Sequence, residues 1–126
     1  MSHLDHVALS TRDYPTSRAF YEKALAPLGI KTMMEFTEGG KVIGMGSDRP
    51  FFWVGDGGAL ADGRLHIAFA AKNRAEVDAF YAAAMAAGGR DNGPPGLRPH
   101  YHATYYAAFV LDPDGHNIEA VCHGPD

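Results

Sequence analysis

The sequence predicts an α+β fold built from two copies of one βαβββ module in tandem. The chain resembles itself when shifted by sixty residues, so that His6 falls on His66. Each copy also shows a strand-like alternation followed by a helix-like periodicity. Self-similarity at a fixed spacing is typical of a duplicated structural unit. We therefore expect modules at residues 1–60 and 61–126, forming one structural domain with a curved mixed sheet, a concave site and helices on the outer face.

The first strand of each copy is predicted from a period of two. Along residues 4–10 every second side chain points the same way, with His6 and Ala8 on one face and Val7 and Leu9 on the other, and residues 64–70 repeat the pattern. Such alternation directs successive side chains to opposite faces of a sheet. His6 and His66 are therefore predicted to share one face with small residues beside them.

A helix is predicted after each of these strands, because apolar residues recur at spacings of three and four. Asp13 and Asn73 are the expected N-caps, and Gly29 and Gly88 are expected to end the helices. The glycine- and proline-rich residues 88–99 are interpreted as a long loop. The further strands are predicted near residues 30–36, 41–46, 50–55, 102–111 and 116–122.

Composition narrows the class of function. The 126 residues have a net charge of −4 and no basic run, so neither nucleic acid nor an anionic membrane is an expected partner. No stretch reaches the roughly 18 apolar residues of a membrane span, and no secretory signal is recognised. Cys122 is the only cysteine, so no intrachain disulfide can form. The expected location is the cytoplasm, and the expected ligand is a small molecule.

Two imidazoles and one carboxylate form a candidate metal site. Glu119 lies in the last predicted strand, and alternation points its side chain away from the apolar side of the sheet. With His6 and His66 it would offer a divalent ion (Fe, Mn, Zn or Ni) three ligands and leave positions for substrate. On the residues alone, ordinary surface or core histidines are an equally open interpretation.

The chain resembles the vicinal oxygen chelate superfamily, which includes glyoxalase I, fosfomycin-resistance thiol transferases, extradiol dioxygenases and bleomycin-resistance proteins. The resemblance covers essentially the whole chain, and it implies metal ligands at His6, His66 and Glu119. It also implies a homodimer, which is common among members of this length. The segments that carry it are Leu4-Asp5-His6-Val7-Ala8-Leu9, Ala19-Phe20-Tyr21, Leu65-His66-Ile67-Ala68-Phe69 and Asp112-Pro113-Asp114-Gly115-His116-Asn117-Ile118-Glu119.

A fourth ligand position distinguishes members of this superfamily. Alignment of the last strands of the two copies places Phe52 against Glu119, whereas glyoxalase I has a Glu or Gln there that is tied to proton abstraction. Phenylalanine can neither bind a metal nor accept a proton. The resemblance therefore implies a metal-dependent dioxygenase, lyase or thiol transferase rather than a typical glyoxalase I. The alternative is a metal-free, bleomycin-resistance-like protein that binds a drug or metabolite without turnover.

Further site residues are predicted around these ligands. His100, His102 and Tyr105 follow the glycine- and proline-rich stretch, and they are candidates for acid–base catalysis or for hydrogen bonding to a developing oxyanion. Solvent-exposed residues at the entry of a strand are the alternative interpretation. No function is expected of His123, which lies near the C-terminus.

Aromatic and basic residues of the first copy are predicted to line the substrate pocket. Phe52 and Trp53 would form its wall, although core or dimer packing explains them equally well. Arg49 would hold an anionic substrate, and Arg98 is a second candidate for that role. For both arginines the alternative is a solvated surface charge.

Overall fold

The computed structural model describes residues 3–58, 60 and 64–126. These residues form two four-stranded mixed sheets and two α-helices, which confirms the predicted α+β class. The predicted module boundary falls at residue 61, outside the described residues, and stays a prediction. The elements are β1 (Val7–Ser10), α1 (Tyr14–Ala24), β2 (Lys31–Phe36), β3 (Val42–Gly46), β4 (Pro50–Gly55), β5 (His66–Ala70), α2 (Arg74–Ala86), β6 (Arg90–Leu97), β7 (Tyr106–Leu111) and β8 (Asn117–Cys122).

The two sheets have the same strand order. The first runs β1-β4-β3-β2, and the second runs β5-β8-β7-β6. In each sheet the first strand pairs in parallel with the last, and the other pairings are antiparallel. Strands that are distant in sequence thus become neighbours, and the predicted ligand positions of each copy lie side by side.

Both helices begin at the predicted caps. Asp13 accepts a hydrogen bond from the backbone amide of Thr16 at 3.2 Å, and Asn73 accepts one from that of Glu76 at 2.9 Å. These bonds satisfy amides that lack a partner in the first turn. Helix α1 is followed by a 3-10 turn that ends at Gly29, whose φ of 78° suits glycine.

The stretch predicted as a loop between residues 88 and 99 is instead largely a strand, β6. Its pairing with β7 is irregular, with register shifts on both sides of Gly93. Pro94 and Pro95 are tolerated because β6 is an edge strand, so the missing amide hydrogens would otherwise face solvent. The glycines and prolines therefore shape a bulged edge rather than abolish the strand.

The helix-bearing faces of the two sheets meet in one hydrophobic core. Phe69 of the second sheet packs against Phe51 and Phe52 of the first, with ring centroids 6.4 and 5.2 Å apart. Helices α1 and α2 pack against each other beside this contact. The opposite face of each sheet, called the open face below, is therefore left accessible, and that of the second sheet carries His66 and Glu119.

A buried polar contact also joins the two copies. The hydroxyl of Tyr21 in α1 donates to a carboxylate oxygen of Asp112 in the turn before β8. Both residues are almost fully buried, and burial followed by the Asp112 charge raises the pKa of Tyr21 well above its usual value. In the same turn, Asp114 accepts a hydrogen bond of 2.6 Å from the hydroxyl of Thr11. The Asp-Pro-Asp-Gly motif therefore fastens one copy to the other.

Candidate active site

A buried carboxylate lies at the centre of the open face of the second sheet. The side chain of Glu119 is 2% exposed, and its two oxygens have different partners. His66 Nε2 lies 2.7 Å from Oε1, and the hydroxyl of Tyr105 donates to Oε2. The imidazole of His66 is 54% exposed, so this group has one buried and one accessible side.

Tyr105 acts as a hydrogen-bond donor to this carboxylate. Desolvation, followed by the hydrogen bond from Tyr105 to Glu119, raises the pKa of Tyr105 to about 12. The phenol is therefore protonated throughout the physiological range. Because it occupies one carboxylate oxygen, it fixes the orientation in which the other oxygen meets His66.

The register of the strands sets the surroundings of Glu119. Ala68 of β5 lies opposite Glu119, which in turn lies opposite Phe109 of β7 and, beyond it, Gly93 of β6. Directly paired residues share one face of a sheet. Small residues therefore end this row on both sides, and the ring of Phe109 lies 6.1 Å from that of His66.

His6 occupies the equivalent position beside the first sheet but has a different partner. Its Nδ1 lies 2.8 Å from a carboxylate oxygen of Asp5, and its imidazole is 56% exposed. Arg49 Nη1 lies 3.7 Å from the same oxygen. The hydrogen bond with His6, and then the charge of Arg49, lower the pKa of Asp5. The two histidines thus match in position and exposure, yet each has its own carboxylate.

Two of the three predicted metal ligands come together in one chain. His66 and Glu119 offer donor atoms 2.7 Å apart, whereas neighbouring ligands of an ion with bonds of about 2.1 Å lie roughly 3.0–3.4 Å apart, so a small separation of the two side chains would admit an ion. His6 does not join them: within the described part of the chain, no group of three or more His, Cys, Asp or Glu residues is placed to hold one metal ion. The residues of one chain therefore supply two of the three predicted ligands.

The position in the first sheet that matches Glu119 is occupied by Trp53, not by Phe52. Trp53 lies opposite Ala8 just as Glu119 lies opposite Ala68, whereas Phe52 lies opposite Val7. The predicted alignment was therefore wrong by one residue. Trp53 contributes no metal ligand either, so the inference that the first copy lacks a fourth ligand is unaffected.

Trp53 is the centre of an aromatic surface on the first open face. Its ring covers Gly44 on β3, where an added Cβ would lie 2.6 Å from the indole. Phe36 stacks beside it, with centroids 6.3 Å apart and planes inclined by 19°. Together with His6 and Arg49, Trp53 lines an open hollow on this face.

The predicted pocket residues divide between two places. Phe52 is 1% exposed and packs in the core, and it also contributes to the lining of a cleft between the two copies. Arg49 lies at the rim of this cleft and also borders the hollow beside Trp53. The cleft encloses about 320 Å³. Its walls include His6, Arg49, Phe51, Phe52, Ile67 and Phe69.

The three predicted catalytic residues have different surroundings. Tyr105 contacts Glu119, as described above. His102 Nε2 lies 2.7 Å from Nδ1 of His123, and both imidazoles pack edge-on against Tyr105, with ring centroids 5.3 and 5.2 Å away. The ring of His100 packs against that of Tyr101, with centroids 4.2 Å apart, and His100 does not hydrogen-bond to Glu119.

His123 is the residue that sequence reasoning missed. It follows β8 directly, and pairing of β8 with β7 brings it beside the loop that carries His102. The backbone amide of Thr104 donates to His102 Nδ1, so the hydrogen-bond network assigns the proton of His102 to Nε2, which donates to His123. The position of His123 near the C-terminus of the sequence gave no indication that it contacts His102.

Comparisons with known proteins identify the family to which the chain belongs. Residues 3–120 match the Glyoxalase/Bleomycin resistance protein/Dioxygenase superfamily, and the chain belongs to that superfamily. None of the curated proteins matches the sequence significantly. Neither helix of the described residues is long and apolar enough to cross a membrane.

Several solved structures share the fold. A glyoxalase/bleomycin resistance protein from Albidiferax ferrireducens is 29% identical, with a TM-score of 0.80, and 98% of this chain covers 100% of that one. A lactoylglutathione lyase from Agrobacterium tumefaciens is 20% identical, with a TM-score of 0.68 and coverage of 97% and 94%. A fosfomycin resistance protein mutant from Listeria monocytogenes, in complex with Mn(II) and 1S,2S-dihydroxypropylphosphonic acid, is 21% identical, with a TM-score of 0.69 and coverage of 98% and 91%.

Proposed function

We propose that this protein is a divalent-metal-dependent enzyme that acts on a small molecule with vicinal oxygens, by lyase, thiol-transferase or dioxygenase chemistry. The observation that carries the proposal is the contact between His66 and Glu119. A nearly buried carboxylate and a half-exposed imidazole lie 2.7 Å apart on an accessible sheet face. Iron, manganese, zinc and nickel all accept this pair of donors. A typical glyoxalase I reaction is disfavoured, because Trp53 cannot take a proton from substrate.

The residues around the pair have defined tasks in this proposal. A divalent ion bound there would polarise the substrate oxygens as a Lewis acid. Tyr105 holds Glu119 in one orientation through its protonated phenol. His66 would bind an ion through the lone pair of Nε2, with the ring proton on Nδ1. His102 and His123 flank the Tyr105 ring and keep the phenol directed at the carboxylate.

The third ligand is assigned to His6 of a second copy of the chain in a homodimer. The imidazole of His6 is 56% exposed, and His66 is 54% exposed, so each is open to a partner. Apolar side chains on the outer strands β2 and β6 support association, since they are exposed in a single chain. They include Met34 (43%), Phe36 (49%) and Leu97 (47%).

Metal analysis of protein purified without a histidine tag tests the proposal. We expect about one divalent ion per chain in the wild type and loss of most of it in His66→Ala and in Glu119→Gln. His3→Ala removes an exposed histidine that is not one of the proposed ligands and serves as the matched control. Metal content in His66→Ala equal to that of the wild type would show that the ligand assignment is wrong.

Oligomeric state tests the origin of the third ligand. Light scattering on the eluting protein should give a dimer, and His6→Ala should lower the metal content while leaving the dimer intact. A monomer that retains its full metal content would exclude a ligand from a second copy.

A metal-free binding protein is the second candidate. It is favoured by the separation of His6 from His66 and Glu119 in one chain, and the cleft of about 320 Å³ is large enough for a small ligand. This function predicts saturable binding of a small molecule that persists in the presence of a chelator, together with sub-stoichiometric metal. Loss of all binding on chelation would eliminate it.

A further inference from the structure

Arg98 places a positive charge on the same open face as His66 and Glu119. Its guanidinium carbon lies 5.3 Å above the centre of the Phe109 ring. Phe109 is paired with Glu119, and its ring lies 6.1 Å from that of His66. Arg98 is also near enough to Tyr105 for its charge to oppose the rise in the pKa of that phenol. The guanidinium thus borders the proposed reaction site without belonging to the ligand pair.

The bulged edge strand β6 forms a fitted seat for this guanidinium. Nη1 donates to the carbonyl of Gly96 at 2.9 Å, and Nη2 donates to that of Pro94 at 2.8 Å. A Cβ added at Gly96 or at Gly93 would lie 3.2 or 3.1 Å from these nitrogens. The two glycines leave the space that the guanidinium fills, so its position is fixed by backbone rather than by solvent.

When the guanidinium of Arg98 is held by β6 in this way, some of its N–H donors have no acceptor and its positive charge has no carboxylate partner in the described residues. A guanidinium has five N–H donors, and the two carbonyls accept only two of them. Within residues 3–58, 60 and 64–126, no carboxylate forms an ion pair with Arg98. Arg18 and Arg49 differ, since Glu35 lies 2.7 Å from the first and Asp5 lies 3.7 Å from the second.

We propose that Arg98 binds the oxyanion group, a carboxylate or a phosphonate, of the small molecule that the proposed function places beside His66 and Glu119. The planar fork of a guanidinium matches two oxygens of such a group, and arginine loses little entropy in the contact when its side chain is already held in place. Arg49, whose charge is partly compensated by Asp5, is not assigned this role. The inference rests on the proposed location of the site, not on the identity of the metal.

Binding of two simple probes tests this assignment. Methylphosphonate and acetate are titrated by calorimetry at constant ionic strength into protein kept metal-free with a chelator, so that binding to a metal cannot contribute. We expect saturable binding of at least one probe, a loss of tenfold or more in affinity in Arg98→Gln, and a smaller loss in Arg98→Lys, which keeps the charge but not the fork. Arg18→Gln is the matched control and should bind as the wild type does, because Arg18 lies outside the proposed site and is paired with Glu35.

The outcomes separate this inference from the proposed function. Thermal melting verifies that Arg98→Gln is folded, and Arg98→Lys replaces it as the test if it is not. Unchanged affinity in the folded Arg98 variant, or no binding of either probe to the wild type, would overturn the inference. If His66→Ala retains its metal while the Arg98 variant loses the probe, the metal proposal fails and the oxyanion site stands.

Discussion

Replacement of Tyr21 by phenylalanine is expected to loosen the attachment of the two copies to each other. Asp112 is 2% exposed, and the backbone amides of Asp114 and His116 donate to its Oδ1 at 2.9 and 2.8 Å. Its Oδ2 accepts from the hydroxyl of Tyr21. Because Tyr21 is fully buried, water cannot replace the lost donor, and the oxygen is left without a partner.

The expected loss is about 1–3 kcal/mol, the cost of one unsatisfied buried acceptor. An unfolding entropy of about 2.1 cal/mol/K per residue over 126 residues gives about 0.26 kcal/mol/K, so each kcal/mol lowers Tm by about 4 °C. The expected decrease is therefore roughly 4–11 °C between pH 6 and 9. Tyr21 is protonated throughout that range because its pKa is raised, and its stabilising contribution is lost only as the pH rises above about 10.

Calorimetric melting of Tyr21→Phe beside Tyr81→Phe measures this effect. Tyr81 also donates to an aspartate, Asp91, at 3.1 Å, but that bond is exposed and water can replace it. The control should therefore change Tm by little. Equal values of Tm for the two variants would refute the reasoning that burial makes the Asp112 contact costly to break.

Two further predictions concern the open faces. Gly44→Ala should displace the indole of Trp53, because the added Cβ would lie 2.6 Å from it; we expect a shift in the fluorescence emission of the single tryptophan and a decrease of about 1–3 kcal/mol in the free energy of unfolding. Gly57→Ala is the control, since its added Cβ meets nothing within 4 Å. An unchanged emission spectrum in the Gly44 variant would contradict the prediction. The difference in phenolate absorbance between the wild type and Tyr105→Phe should show one group that titrates near pH 12. The contribution of Tyr105 to the stability of the fold should be complete below about pH 10 and lost as the pH rises through about 12. A transition near pH 10 would show that Tyr105 is neither desolvated nor bonded to Glu119.

Sequence periodicity and local signals were sufficient to predict the elements of the fold. The caps Asp13 and Asn73 and the alternation around His6 and His66 are local properties, and each is found where it was expected. The bulged strand β6 was missed because glycine and proline usually interrupt strands, and only its edge position permits them.

The register of the strands and the contacts between the two copies could not be predicted from local sequence signals. A shift of one residue turns a side chain to the other face of a sheet, and no pattern in β4 indicates whether Phe52 or Trp53 matches Glu119. The contacts of Tyr105 with Glu119, and of His102 with His123, arise only when β7 and β8 pair. Residue types therefore indicated which chemistry the site could perform, whereas the pairing of β7 with β8 determined which side chains contact each other.

The rows of side chains across the two open faces have a consequence for engineering a second site on the first sheet. The first row reads Ala8, Trp53, Gly44 and Met34, and the second reads Ala68, Glu119, Phe109 and Gly93. The large aromatic side chain of the first row, Trp53, lies on β4, whereas that of the second row, Phe109, lies on β7. Substituting Trp53 with glutamate alone would thus expose the carboxylate above the empty space at Gly44. A second centre of the same kind would therefore need linked changes at Trp53 and Gly44 rather than one substitution.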